Sequence, residues 1–378
     1  MTLRLFIWTL EPDIFELFGR EIRWYGLMWA LAFYLGYYIS GYIFRHEKKP
    51  ELWAEQILMY ILIAVVIGAR LGHVFFYSPG YYLANPLEIL YIHKGGLASH
   101  GALLGGLVGA FLLMRKWNCN YFWLLDRIVI LACLGGACIR LGNFANSEIY
   151  GKTTDSPVGI VFAHNFKNDL AWEMRKLGYP PQDINIYSHS KHKDTHSSGV
   201  AKHLSPMLVR LRYARQLPHE DFRHYLSIKL PLIFRYKGAD YGSHSGMRTH
   251  VLWDDNAHVS VYAQGVSTYV EFTAFGIKRH PTQLYEAFFY VLLFLVLYML
   301  WRRSKAHLKW GTLSGIFFCA LWTFRFLIEY TKEAQEDFAN PLPWNMGQML
   351  SVPCVLFGLW LVFFYKPNMP ATPEQNKT

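Results

Sequence analysis

The sequence predicts an all-α polytopic membrane protein with seven transmembrane helices and a small mixed α/β outer domain, and three observations carry that prediction. Of the 378 residues 53% are hydrophobic and only 17% charged, and the apolar ones gather in blocks of about twenty, the length of helix that crosses a bilayer core. Lys and Arg cluster in alternate connections between the blocks. One long central segment lacks such blocks and instead alternates apolar and polar residues, as half-buried strands do.

The spans follow in order as Gly26–Phe44, Ile57–Phe76, Leu97–Met114, Phe122–Leu141, Thr282–Trp301, Gly311–Tyr330 and Met346–Tyr365. The first, third and fifth connections carry Arg45, Lys48 and Lys49, then Arg115 and Lys116, then Arg302, Arg303, Lys305 and Lys309. The second and sixth hold little beyond Lys94 and Lys332. Cytoplasmic loops accumulate Lys and Arg, so the odd connections are expected inside. That orientation puts the N-terminus outside, the C-terminus in the cytoplasm and Gly151–Lys278 outside. Trp24, Trp123, Trp301 and Trp344 stand near span ends, as interfacial belts require. Arg4 precedes too short an apolar run, with no small-residue cleavage site, so the first span is read as retained. The expected organisation is an N-terminal arm with four spans over 1–150, an outer domain with a variable insertion over 151–278, and three spans with a short tail over 279–378.

Within the outer segment, Gly159–His164 and His258–Phe272 read as strands, Leu230–Tyr236 is an apolar run, and His189–His203 is a His/Ser/Lys tract. The irregular spacing of those histidines fits a solvated loop better than a metal site. The five cysteines show no CxxC spacing, so no disulfide framework is expected. A net charge of +10 in such a chain reflects anionic lipid and topology signals, and no nucleic-acid partner is expected. HExxH, GxSxG and P-loop patterns are absent, which removes support from metalloprotease, serine hydrolase and ATP-driven chemistry. No metal and no cofactor is expected. Nor is there a fixed-period repeat or an inverted duplication of the kind many transporters carry.

Polar constellations interrupt or border the spans, and charges at membrane depth are costly enough to suggest function. They are Arg23-Trp24-Tyr25-Gly26, Gly68-Ala69-Arg70-Leu71-Gly72-His73, and His93 to Gly101 with His100 between small residues. The fourth runs from Gly135 to Gly151, where an apolar block ends in Arg140, Asn143, Asn146 and Glu148. The fifth is Lys278 to Glu286, in which Pro281 and Thr282 make a helix start that places Arg279 where an anion is favoured. Each has a plain structural alternative: an interfacial anchor for Arg23, carbonyl holding for Arg70, glycine packing for Gly135 and Gly136. Arg325 and Glu329, four apart, fit an intrahelical ion pair. Taken together, the constellations face the outer leaflet and suit a phospholipid phosphate held by arginines. An enzyme acting on that lipid and an outer-leaflet lipid or small-anion transporter both meet this description.

The run Arg140-Leu141-Gly142-Asn143-Phe144-Ala145-Asn146-Ser147-Glu148, closed by Gly151, resembles the signature of the prolipoprotein diacylglyceryl transferases almost residue for residue. The tyrosine and arginine motifs above, His100-Gly101, Arg279-His280-Pro281-Thr282-Gln283-Leu284-Tyr285-Glu286 and Met346-Gly347-Gln348 occur in the family's order and cover all seven spans. The likeness weakens between about Ile160 and Phe272.

The resemblance implies an enzyme of the bacterial cytoplasmic (inner) membrane that moves a diacylglyceryl group from phosphatidylglycerol to the lipobox cysteine in a prolipoprotein signal peptide, with membrane lipids around it. A thioether forms and glycerol phosphate leaves, so the step is alkyl transfer and not phosphoryl transfer. Such chemistry needs more thiolate than a free cysteine, pKa about 8.5, supplies, and stabilisation of charge on the departing phosphate. Arg140 and Arg279 suit the second task. His100 is the candidate for the first, with Glu148 or a water as alternatives. Tyr25, Asn143, Asn146, Glu148 and Gly151 would bind and position the headgroup alongside Arg140.

Overall fold

The computed structural model describes residues 6–17, 19–91, 96–189, 202–236, 250–304, 308–332 and 346–367. In chain order the helices are α1 (Trp24–His46), α2 (Leu52–Phe76), the short α3 (Pro79–Ala84), α4 (Ser99–Trp117), α5 (Tyr121–Ala145), α6 (His164–Lys176), α7 (His219–Tyr236), α8 (Thr282–Arg303), α9 (Thr312–Ile328) and α10 (Met346–Leu359). The strands are β1 (Phe6–Trp8), β2 (Asp13–Leu17), β3 (Arg20–Arg23), β4 (Ile160–Phe162), β5 (Asp183–Ser188), β6 (Leu204–Tyr213), β7 (Val251–Trp253), β8 (Ser260–Gln264) and β9 (Ser267–Ile277). The chain divides into two compact units. One comprises Leu27–Arg140, Glu286–Leu327 and Pro341–Thr378; the other comprises Met1–Gly26, Leu141–Tyr285 and Ile328–Asn340.

The first unit is helical. A helix stands at each of the seven predicted spans, and among the described residues six are long and apolar enough to cross a membrane: α1, α2, α5, α8, α9 with its following turn, and α10 with its last, π-type turn Trp360–Phe364. The remaining one, α4, is 19 residues long and carries His100 at its start and Arg115 and Lys116 in its last turn. Large apolar side chains such as Tyr34, Phe75, Phe288 and Phe363 are exposed along these helices, which suits lipid in place of water.

Local chemistry sets the helix ends. Asn120 starts α5, its side-chain oxygen accepting from the amides of Phe122 and Trp123 at 2.9 and 3.1 Å. Asn118 ends α4 in a left-handed conformation (φ 51°), a role asparagine fills well. The start of α9 is served from another helix: buried Asp126 accepts from the amides of Gly311 and Ser314, both at 2.8 Å, and from the Ser314 hydroxyl at 2.7 Å. A second buried carboxylate, Glu47, receives Arg127 and, at 2.6 Å, the indole N–H of Trp301, while the Arg127 guanidinium lies 4.5 Å from the Trp123 ring centre. Every charge in that cluster has a partner, the condition under which burial is tolerated.

The second unit holds the sheet. Its strands run β5-β6-β9-β7, with β8 also on β9, all antiparallel. Alternate residues Met207, Val209 and Leu211 of β6 and Val270, Phe272 and Ala274 of β9 are buried with Phe166 and Leu170 of α6 and Leu226 and Leu230 of α7. The period of two in the strands thus meets apolar stripes on two helices. Elsewhere β1 pairs in parallel with β4, and β2 and β3 form a hairpin turned at Gly19 (φ 75°). The expected strands are present as β4, β8 and β9, with β9 continuing five residues past Phe272 to Ile277. The apolar run Leu230–Tyr236 is the end of α7, which continues through Pro231. Most of the His189–His203 tract, 190–201, lies outside the described residues, as do Lys94, Lys305 and Trp344.

Candidate functional site

Past Ala145 the signature stretch leaves the helix through a turn in which Ser147 (φ 55°) and Ile149 (φ 56°) are both left-handed. Sterics make this rare for a β-branched residue, at a cost of about 1–3 kcal/mol for each residue so held. Hydrogen bonds from all sides maintain it. Asn146 N donates to Gly142 O at 3.0 Å and Glu148 N to Asn143 O at 2.9 Å. The side chains of Thr282 and Gln283, in the first turn of α8, donate to the carbonyls of Ile149 and Glu148. Beyond it, Gly151 N donates to His280 O at 2.8 Å and Lys152 N to Thr331 O at 2.7 Å, so residues 149–154 are threaded between 278–282 and 331–332. Gly151 is required for space, since a Cβ there would lie 2.5 Å from Thr331 O and 2.7 Å from Thr282 Cγ2. At Gly142 a Cβ would meet Tyr25 Cδ2 at 2.6 Å, so the Tyr25 ring rests on the helix backbone. Asn146 Nδ2 reaches Glu148 Oε1 at 3.3 Å.

Arg279 is 4% exposed, its backbone bonded both ways to Ile160 (2.9 and 3.0 Å) and its Nη1 donating to Gly151 O at 3.3 Å. Its guanidinium carbon lies 5.0 Å from the centre of the Tyr150 ring. The Tyr150 hydroxyl in turn is 3.2 Å from Nε2 of His250, a residue with no exposed surface. Burial, and then the Arg279 charge, pull the His250 pKa down to about 3, so this imidazole is neutral.

In the helical unit Arg140 and Glu286 form a buried ion pair, Nε to Oε2 2.9 Å. Engagement at Nε leaves the guanidinium's terminal amino groups on its other edge as donors. One turn before Arg140, Gly136 makes room for Tyr290, whose ring would lie 2.6 Å from a Cβ. His100 sits in the first turn of α4, edge-on to Phe76 (5.0 Å) and stacked near Tyr77 (5.9 Å), which also stacks on His73 (5.3 Å). Arg70 donates to the carbonyls of Ile89 (2.9 Å), Glu88 (2.6 Å) and Gly96 (3.2 Å), so its carbonyl-holding role is the observed one. Gly68, Gly72, Gly101 and Gly105 bring α2 and α4 into backbone contact. Over that seam runs an apolar groove of about 660 Å³, walled by Ile63, Leu71, Phe75, Phe76, Leu104 and Val108.

The structure therefore groups Tyr25, Asn143, Asn146, Glu148, Gly151 and Arg279 in one unit and Arg140 and His100 in the other. Glu286, which ends the fifth constellation in sequence, is paired with Arg140. The i, i+4 spacing of Arg325 and Glu329 assumes a continuing α-helix, but the chain tightens to a 3-10 turn at Glu329, which faces Lys332 at 3.9 Å; Arg325 lies 5.9 Å from the Trp322 ring. Tyr150 and His250 were not recognised as neighbours of Arg279. Tyr150 lay inside the signature stretch, whereas nothing in the sequence around His250 announces burial. Several buried polar atoms have no hydrogen-bond partner among the described residues: Nε2 of His100, Oδ1 of Asn143 and Asn146, Oγ of Ser147 and Oε1 of Gln283. Others, such as Nδ1 of His164 and Oη of Tyr213, lie elsewhere, but three of the atoms fall within residues 143–147, and buried polar groups are ordinarily satisfied.

These features fit a multi-pass helical membrane protein in which each of the two units carries an arginine among polar side chains. The chain belongs to the prolipoprotein diacylglyceryl transferase family, whose model matches residues 12–364. It is 31% identical over 370 residues to the phosphatidylglycerol–prolipoprotein diacylglyceryl transferase of Porphyromonas gingivalis, covering 96% of this chain and 95% of that protein. The proteins of the same name from Chloroherpeton thalassium (31% over 360 residues; 94% and 92% covered) and Tolumonas auensis (30% over 359; 95% and 96%) are similarly related.

Proposed function

We propose that this protein transfers the diacylglyceryl group of phosphatidylglycerol to the lipobox cysteine of a prolipoprotein. The cysteine sulfur attacks the glyceryl carbon that bears the phosphate ester. A C–S bond forms, the C–O bond to phosphate breaks with its electron pair on oxygen, and glycerol phosphate departs. The thiol proton passes to a base, for which His100 is the choice. Its Nε2 is buried yet has no partner among the described residues, and imidazole moves protons near neutral pH. Arg140 and Arg279 supply guanidinium groups to the phosphate, where charge grows as the ester breaks. Tyr25, Asn143, Asn146, Glu148 and Gly151 position the headgroup and Arg140. The apolar groove beside Gly101 and Phe76, the neighbours of His100, suits an acyl chain of the donor.

The observation that carries this reading is that Asn143, Asn146 and Ser147, close together in the stretch that resembles the family signature, each keep a buried side-chain oxygen with no hydrogen-bond partner among the described residues. A soluble group such as a glyceryl phosphate would complete them. The protein works in the bacterial inner membrane with its N-terminus outside, its C-terminus cytoplasmic, α4 as a seventh span, and residues 151–278 on the periplasmic side.

Purified protein given phosphatidylglycerol and a lipobox peptide should add one diacylglyceryl mass to the Cys peptide and none to its Ser counterpart. Folded protein that modifies neither, or both, would defeat the reading.

A further inference from the structure

We propose that Tyr150 and His250 are a positioning pair for Arg279: the buried imidazole fixes the Tyr150 hydroxyl, and the fixed ring in turn sets the place of the guanidinium that serves the donor phosphate. The inference rests on the reading of Arg279 as a phosphate ligand. Three groups meet in sequence within one compact unit. His250 Nε2 is 3.2 Å from Tyr150 Oη, the two rings are edge to face at 5.0 Å and 81°, and the Arg279 guanidinium lies 5.0 Å from the same ring. Phe162 stacks on Tyr150 at 5.4 Å, so the ring is held from a further side.

The backbone ties the pair to the arginine it serves. His250 O accepts from Ile277 N at 2.8 Å, two residues before Arg279, and Val251 pairs with Gly276 in the sheet. Tyr150 precedes Gly151, whose carbonyl receives Arg279 Nη1. A planar guanidinium lodged over an aromatic ring has its orientation restricted in a way a lysine ammonium would not. Burial keeps the imidazole uncharged, so it orients the tyrosine without adding a second positive charge that would repel Arg279. A phenylalanine at 150 would supply the same face but no polar anchor, and the ring would be free to slide.

Because charge on the phosphate increases as the ester breaks, a loosened Arg279 lowers kcat more than it raises KM. Tyr150→Phe and His250→Leu should each lower kcat three- to tenfold per folded enzyme, with KM for phosphatidylglycerol changed less than twofold. The double variant should be no worse than either single one, the mark of one shared interaction. His250→Gln, which keeps an acceptor within reach of the hydroxyl, should recover most of the loss. In an Arg279→Lys background Tyr150→Phe should change nothing further. Wild-type kcat in both single variants, or the same loss with Lys at 279 as with Arg, would overturn the pairing. Arg279→Ala is the separate control: if it retains full transfer, the role of Arg279 itself fails, whereas its inactivity beside unaffected pair variants defeats only the pairing.

Discussion

Gly135 and Gly136 are adjacent on α5 yet face opposite surroundings, so alanine at each position separates packing from backbone effects. A Cβ at Gly135 meets nothing within 4 Å, while at Gly136 it falls 2.6 Å from Cε1 and 2.8 Å from both Cδ1 and Cζ of Tyr290. Carbon atoms rest at about 3.5–4 Å, so the ring must retreat by roughly 1 Å. Overpacking of this kind costs about 1–3 kcal/mol. Replacing glycine by alanine inside a helix also gains about 1 kcal/mol, but that gain enters both variants and cancels in their difference. Gly136→Ala should therefore be about 1–3 kcal/mol less stable than Gly135→Ala. In a chain of this length that is roughly 1–5 °C in the unfolding midpoint, scaled from smaller domains. Thermal melts of the two detergent-solubilised variants, run side by side, measure it. Transfer activity gives a second readout: a displacement of about 1 Å beside Arg140 should cost at least roughly tenfold. Equal midpoints and equal activities would refute the packing argument and leave Gly136 as an ordinary helix glycine.

Arg140→Lys keeps the charge but loses the parallel donors and the Glu286 contact at Nε, and should lower kcat/KM on the order of 10–100-fold; full activity would make Arg140 an anchor. Gly151→Ala puts a Cβ under 3.0 Å from three atoms, in a segment whose amides are already committed, and should cost about 2–4 kcal/mol from overpacking plus one lost hydrogen bond. Gly80→Ala, with nothing within 4 Å, serves as the neutral comparison in the same melts. The unit that holds His250 should lose stability on acidification. Its folded pKa of about 3 lies below the unfolded value near 6.5, so the unfolded state binds the proton first and stability falls as pH drops from about 6.5 toward 3. At pH 5 the loss is about 2 kcal/mol, and Tyr150 and Arg279 are the titratable groups known to face the ring. Unfolding midpoints of wild type and His250→Gln between pH 7.5 and 5 should converge as pH falls; parallel curves would exclude His250 as the source.

The helices at the seven spans were legible because each depends on a long local run of apolar residues. Pro281-Thr282 marked the start of α8 in sequence just as it does in space. The strands were legible where alternation was strong, but β9 runs on through Thr273-Ala274-Phe275-Gly276-Ile277, whose extension depends on β6 and β7 lying beside it. Motif chemistry identified Arg140, Arg279, Asn143 and Glu148 as unusual, while the partners of the two arginines came from distant segments that no local pattern encodes. His250 is 29 residues from Arg279 in the chain and Glu286 is 146 from Arg140, and neither pairing has a period or spacing to betray it. The left-handed Ile149 illustrates the same limit. Its local preference argues against that conformation, and hydrogen bonds that include those from distant Thr282 and Gln283 impose it.

The groove between α2 and α4 has a floor made of Gly68, Gly72, Gly101 and Gly105, so its bottom is main chain. Main chain has no rotamers. The bore is therefore inherited from covalent geometry, while its walls, Leu71 and Leu104 among them, are adjustable side chains. Shortening a wall residue would make the channel shallower or wider at the rim, but only a substitution in the floor would change its gauge, by wedging the two helices apart. Anyone retailoring this protein for a branched or bulkier hydrocarbon has the walls to work with and a floor to leave alone.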